Sequence, residues 1–184
     1  MNDAIKLPWV EAGYHLFAEH GPKGLKVEVI ARQVKKNKSS FYHHFSDLEV
    51  FTEELLSFHM ERAKQVAEFE RSCKTIVPEL LNVLVDAKTD LFFNRQLRIH
   101  RDIPAFRKCF EQSNELASRA LMNLWATELG LSDNPKLASL LFKLVMDNFY
   151  LQISEKNLTY SWLLNYFAEL GTMVEEMKKS ETTY

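Results

Sequence analysis

At 184 residues, 46% hydrophobic and 26% charged, the chain can bury a proper core in one domain or two small ones. No uncharged apolar run reaches the roughly 18 residues that a membrane-spanning helix needs. None of signal-peptide length follows a basic start either, so a cytoplasmic protein with no membrane partner is expected. Only five glycines and five prolines interrupt the chain, which points to an all-α fold, and Cys73 and Cys109 form no metal or redox spacing.

The first helix is predicted from about residue 4–8 to His20. Pro8 fits its first turn, where a missing N–H costs little. Ala12, Leu16 and Phe17 make its apolar stripe, Gly21 is a natural C′ residue, and Pro22 prevents continuation. A second helix over about 27–34 has one apolar face, Val27, Ile30, Ala31 and Val34. Lys35 and Lys36 form the turn, and Asn37 is a suitable N-cap for a third helix over about 38–44. Phe41 and Phe45 can pack back onto the first two helices, which leaves Lys38, Ser39, Tyr42 and His43 pointing outward. The fourth helix has a capping-box start, Ser46-Asp47-Leu48-Glu49, with Ser46 as N-cap and Phe45 and Val50 as a hydrophobic staple. Its apolar pattern (Leu48, Phe51, Leu55, Phe58) persists to about residue 70.

The remainder is helical with fewer landmarks. Pro78 sits near the start of a helix expected to run unbroken to about Asn94. Ile103-Pro104 breaks the chain again. A long segment over about 105–129 follows, capped by Gly130. Asn134-Pro135 restarts a helix over about 135–155, and the last helix spans about 159–179. Both of these are apolar on two sides, so each needs two partners. One partner is the domain core. The other is a second copy of the pair across a two-fold axis, or else the hairpin is fully buried within one subunit. For the dimer, the expected contacts are Leu141, Val145, Trp162, Tyr166, Gly171 and Val174. The polar tail from Lys178 is expected to fray.

Charge is unevenly placed. Residues 20–45 hold six lysines and arginines against one acid, Glu28, in a chain of net charge −2. Such a patch is either an electrostatic footprint for phosphate or a solvated loop.

Four segments, in this order, resemble the N-terminal domain of TetR-family repressors. They are WVEAGYHLFAEHG (9–21), VEVIARQV (27–34), NKSSFYHHF (37–45) and SDLEVF (46–51). The resemblance spans residues 9–58; the rest matches the family only in length and helicity. It implies a helix-turn-helix DNA-binding domain over 1–46 and a helical effector-binding and dimerisation domain over 47–184, with about nine helices in all. The implied protein is a ligand-responsive repressor, acting as a homodimer on a palindromic operator of double-stranded DNA. Four positions depart from the family pattern. Lys26 stands where Ser or Thr usually caps the second helix, Lys35-Lys36 where Gly-Val usually turns, and Leu48 where a basic residue usually meets phosphate. Lys35 must then adopt a left-handed conformation that Gly would take at no cost.

On that reading the third helix enters the major groove, with Lys38 reaching guanine acceptors. Ser39, Ser40 and His43 touch base edges or phosphates, and the family motif puts Tyr42 and His44 on phosphates. Lys26, Val27, Glu28, Lys36 and Asn37 lie at the same surface, where Glu28 can accept from a cytosine amino group. Candidate effector-pocket residues are Phe92, Phe93, His100, Phe106, Phe110, Met122, Trp125 and Phe149, although aromatics at helical spacing are more often core. Arg95, Arg98 and Arg101 make a site for an anionic ligand or a solvated basic face. No phosphate loop, nucleophile elbow or His-Glu-x-x-His is present, so neither an enzyme nor a cofactor or metal is expected. The rival reading is a helical ligand-binding or protein-interaction module whose head no longer reads DNA.

Overall fold

The computed structural model describes residues 3–181. Nine α-helices lie among the described residues: α1 (Asp3–His20), α2 (Val27–Gln33), α3 (Lys38–His44), α4 (Leu48–Ser72), α5 (Leu81–Asp86), α6 (Lys88–Ile99), α7 (Pro104–Glu128), α8 (Pro135–Gln152) and α9 (Tyr160–Glu181). The chain divides into two compact units, Met1–Gln65 with Thr89–Leu116, and Val66–Lys88 with Ala117–Tyr184. The all-α expectation holds. The packing division does not coincide with a 46/47 junction, because α4 passes from the first unit into the second.

The first unit has an aromatic core. Phe17, Phe41, Phe45, Phe51 and Phe93 are fully buried along with Ile30, Leu55 and Leu97. The rings of Phe41, Phe45 and Phe51 meet at centroid separations of 4.8–5.2 Å, which joins α3 to the start of α4. Gly13 sets how closely α1 crosses α4. A Cβ there would sit 2.4 Å from the Phe51 ring, so the helices meet at a position where only hydrogen fits.

Beneath this core lies a buried polar chain. The Tyr14 hydroxyl donates to Asp90 Oδ1 at 2.7 Å and lies 2.7 Å from His59 Nδ1. Asp90 also accepts from Arg62 Nε at 2.5 Å and from its Nη2 at 2.7 Å. On its far side, His59 Nε2 meets the Asn94 amide at 3.0 Å, and that same amide meets Ser113 Oγ at 2.6 Å. Ser113 Oγ donates to Asn94 Oδ1, and a neutral His59 that carries its proton on Nε2 donates to the same oxygen, which leaves Nδ1 facing the Tyr14 hydroxyl. Burial pushes His59 down to about 4, in keeping with a neutral ring. The chain ties α1, α4, α6 and α7 together.

In the second unit, the Trp125 indole N–H donates to the Ala138 carbonyl at 3.1 Å, and its ring packs edge-on against Phe142. Phe149, Trp162 and Tyr166 form a second aromatic group between α8 and α9, and the Tyr166 hydroxyl donates to the Val145 carbonyl at 3.2 Å. Leu140, Leu144 and Leu151 on α8 and Leu164 on α9 are left exposed. No helix is long and apolar enough to cross a membrane among the described residues.

Most helix ends fall where their cap residues stand. Gly21 and Gly130 take φ values of 65° and 59°. Asn134 accepts from the Leu137 N–H at 3.1 Å with Pro135 at N1.

Five expectations need correction. First, α1 begins at Asp3, so Pro8 lies inside the helix rather than in its first turn. Second, Asp47, not Ser46, caps α4: its Oδ1 accepts from the Val50 N–H at 2.9 Å while Ser46 Oγ donates to its other oxygen. A carboxylate outcompetes a hydroxyl for a backbone donor, and the one-residue shift pairs Phe45 with Phe51 instead of Val50. Third, the single helix expected from Pro78 to Asn94 is divided. A turn over Ile76–Leu80 carries a cis Val77–Pro78 bond, and α5 and α6 then break at Ala87. That break falls where the chain leaves the second unit for the first, at a residue that itself favours helix. Fourth, α8 ends at Gln152, because Asn157 bonds back to the Ser154 N–H and the Gln152 carbonyl and folds the connection. Fifth, α9 continues through Lys178, whose ammonium donates to the Leu129 carbonyl; the rest of the expected frayed tail, 182–184, lies outside the described residues.

Candidate nucleic-acid interface

Helix α3 is held from behind and free in front. Phe41 and Phe45 anchor α3 in the core, and the Trp9 ring packs edge-on against Phe41 at 5.8 Å. One helical face therefore points inward, and Lys38, Ser39, Tyr42 and His43 are exposed on the other. Tyr42 is 55% exposed with its ring edge against Phe41, so it is not a core residue. His44 is different. It is half-buried, with its ring 6.1 Å from Trp9, which leaves it partly committed to packing.

The turn before α3 is built by two local devices. Lys35 takes φ 55°, the left-handed conformation that its position in the turn demands. Asn37 then caps α3, its Oδ1 accepting from the Ser40 N–H at 2.8 Å and the Ser40 hydroxyl at 2.9 Å. The expected groove-facing roles of Asn37 and Ser40 are thus joined to a structural one. Val27, expected at the same surface, is buried in the head core. Lys26 precedes α2 in an extended conformation with no side-chain cap, and both Lys26 and Lys36 are exposed. Leu48 is half-buried at the first residue of α4, where it offers no charge to a phosphate.

Across the two helices, the Glu28 carboxylate contacts the Lys38 ammonium. That hydrogen bond holds the Glu28 carboxyl below its usual range and pushes the Lys38 ammonium up. The beginnings of α2 and α3 are therefore coupled by charge at the surface.

The expected effector-pocket residues fall in both units, five in the first and three in the second. Phe93 stacks on Tyr14 and His59 and packs on Phe17, which Phe106 meets edge-on; Phe92 and Phe110 are buried and His100 is half-buried in the same unit. Trp125 and Phe149 belong to the aromatic groups of the second unit, where Met122 is half-buried. None of the eight lines a cleft of about 520 Å³ in the first unit, which is bounded by Glu11 and His15 of α1, Gln33 and Val34 at the end of α2, and Phe58 and Arg62 of α4. Of the arginine series, Arg101 is exposed and Arg95 and Arg98 are half-buried, and Arg95 Nε is buried without a partner. Among the expected dimer residues, Leu141, Val145, Tyr166 and Val174 are buried within their own unit and Trp162 is half-buried. Gly171 faces open space.

Sequence reasoning did not find Gly13 or the Tyr14–His59–Asp90–Arg62 chain. Only one trace of the latter was legible: Leu55, His59 and Arg62 share a face of α4 at i, i+4, i+7, which puts a histidine on the buried stripe.

Residues 10–55 match the family model for bacterial regulatory proteins, tetR family. Three solved structures share the fold. A TetR-family transcriptional regulator from Mesorhizobium loti MAFF303099 superposes with a TM-score of 0.61 at 19% identity, covering 96% of each chain. A transcriptional regulator (TerR/AcrR family) from Aquifex aeolicus VF5 gives 0.56 at 21% identity, over 95% of this chain and 97% of that one. A TetR-family transcriptional regulator from Rhodococcus sp. gives 0.54 at 18%, over 87% and 94%. No curated protein matches the chain.

Proposed function

We propose that this chain, whose head is a TetR-family N-terminal domain, is a sequence-specific DNA-binding transcriptional regulator and not an enzyme. The observation that carries this reading is the reading helix itself. Its inward face is pinned by Phe41 and Phe45, while Lys38, Ser39, Tyr42 and His43 stand exposed beside Lys26 and Lys36. A helix held this way presents donors to a major groove and cations to the flanking phosphates.

One such head offers a small interface, so the regulator works as a homodimer on a palindromic operator. Support for the dimer comes from the exposed leucines at 140, 144 and 151 on α8 and at 164 on α9, together with the open surface at Gly171. They lie beside the expected contacts Leu141, Val145, Tyr166 and Val174, which are buried. Repression and response to a small-molecule effector complete the proposal, and their support is the family resemblance. The site of action is the cytoplasm, where the operator is.

The test is selection of binding sites from a random-sequence duplex library, followed by salt titration of the recovered duplex. The expected result is a palindromic motif whose binding weakens steeply with salt. Recovery of no motif, with weak binding blind to sequence, overturns the proposal in favour of a helical module that does not read DNA.

A further inference from the structure

Glu28 is out of place on a surface meant to meet DNA. It is the sole acid among residues 20–45, which carry six lysines and arginines. A carboxylate there repels phosphate. It also repels most of what a major groove displays, because guanine N7 and O6 and thymine O4 are all acceptors. Only the amino groups of cytosine and adenine donate.

The structure shows what the carboxylate does before DNA arrives. It holds the ammonium of Lys38, and both side chains remain about half exposed, at 56% and 53%. Lys38 is the first residue of α3, an end where aligned peptide dipoles disfavour a cation, and Glu28 lies in the first turn of α2, where they favour an anion. Each group offsets the other's position. The ammonium has three donors, and the contact with Glu28 uses one. The carboxylate likewise keeps acceptor capacity. The head thus presents an acceptor on α2 beside a donor on α3, whose other exposed side chains carry no fixed charge.

A G·C base pair displays the complementary pattern on its major-groove edge, with guanine N7 and O6 as acceptors beside the cytosine N4 amino donor. We propose that Glu28 and Lys38 form one reading unit for a single G·C pair in each half-site, Lys38 donating to guanine and Glu28 accepting from the cytosine amino group. Glu28 then acts twice. It selects cytosine, and it withholds Lys38 from indiscriminate phosphate contacts on every other sequence. This inference rests on the DNA-reading function proposed above.

The experiment is parallel selection from a random-sequence duplex library with the wild-type protein, Glu28→Gln and Lys38→Gln. Binding to the wild-type motif and to an unrelated duplex is then titrated with salt. Both side chains are exposed, and unchanged far-UV circular dichroism confirms that the variants fold. The expected result is a wild-type motif with one fixed G·C pair per half-site, at which both variants lose preference by tenfold or more while the rest of the motif stays. Glu28→Gln also binds unrelated duplex more tightly, with the salt slope steeper by about one contact as Lys38 is released to the backbone. An unchanged motif in Glu28→Gln overturns this inference alone, as does relaxation of different base pairs by the two variants. Failure of the wild type to select any motif overturns the DNA-reading proposal, and this inference with it.

Discussion

Tyr14→Phe isolates the buried polar chain of the first unit. The change removes one oxygen and keeps the ring, which stacks on Phe93 at a centroid distance of 4.4 Å, so no side-chain cavity opens. Two partners lose their contact. His59 Nδ1 loses the Tyr14 hydroxyl it faces, and Asp90 keeps its two bonds from Arg62. His59 is fully buried and Asp90 nearly so, at 0% and 4% exposure, so water cannot replace the lost hydroxyl without rearrangement. Leaving a buried polar group unsatisfied costs about 1–3 kcal/mol. The histidine bears most of this and Asp90 less, giving an expected loss of roughly 2–4 kcal/mol. The assay is urea unfolding at fixed protein concentration, with a lower midpoint and an unchanged m-value. His59→Phe made alone and with Tyr14→Phe closes a double-mutant cycle, and the two losses should fall short of adding. A loss below about 0.5 kcal/mol, or strict additivity, refutes the claim that these groups share one network.

Three further outcomes concern buried positions. Gly13→Ala gains about 1 kcal/mol of helix propensity but drives a methyl into the buried Phe51 ring; overpacking costs typically 1–3 kcal/mol, so calorimetry should show a net loss. Neutral His59, lowered by burial to about 4, supports the fold fully above about pH 6.5. That contribution of about 3 kcal/mol is lost as pH falls through 6.5 towards 4, and urea midpoints in His59→Gln should lose this acid limb. Glu70 has the opposite sign: burial raises it to about 7, and its Oε2 has no hydrogen-bond partner. Its protonated form supports the fold fully below about pH 4.5, and the support fades as pH rises through 7, so Glu70→Gln should be the more stable protein at pH 8.

The features legible in the sequence were those set by neighbours a few residues apart. Asn37, Asn134, Gly21 and Gly130 act within a single turn, and all four do what their residue types require. The inward placement of Phe41 and Phe45 followed from spacing alone. The Asp47 cap shows the limit of such reasoning. Ser46 and Asp47 both suit an N-cap, and which one serves is decided by acceptor strength and by where Phe45 lands on Phe51. Contacts distant in sequence were invisible. Asp90 meets Arg62 and Tyr14 across gaps of 28 and 76 residues, and neither carries a local mark. The faces of α8 and α9 were open for a related reason. Helices apolar on two sides do not reveal which side their own unit covers, and here Leu141 and Val145 turn inward while Leu140 and Leu144 stay out.

Lys26 and Lys35 are the positions where local rules are broken without any packing gain. At Lys26 the start of α2 lacks a side-chain cap, and a missing cap costs about 1 kcal/mol. At Lys35 a branched-free but bulky residue is held at φ 55°, which costs roughly 1–2 kcal/mol more than glycine. Together that is on the order of 2–3 kcal/mol, a sizeable share of the 5–15 kcal/mol that keeps an ordinary domain folded. Both side chains are exposed and neither forms a salt bridge among the described residues; Lys26 acts on Glu28 only through the last and smallest of the influences on that carboxyl. In the DNA complex proposed above, contact with phosphate offsets this loss, and Leu48 at the start of α4 supplies no such charge. The double variant Lys26→Ser/Lys35→Gly therefore separates folding from function. It should unfold at a higher urea midpoint than the wild type and yet bind its selected duplex more weakly. Its salt slope should be shallower by roughly 2, since each phosphate contact contributes about 0.9. A variant that is more stable with unchanged affinity and slope would show that the two lysines do not touch DNA.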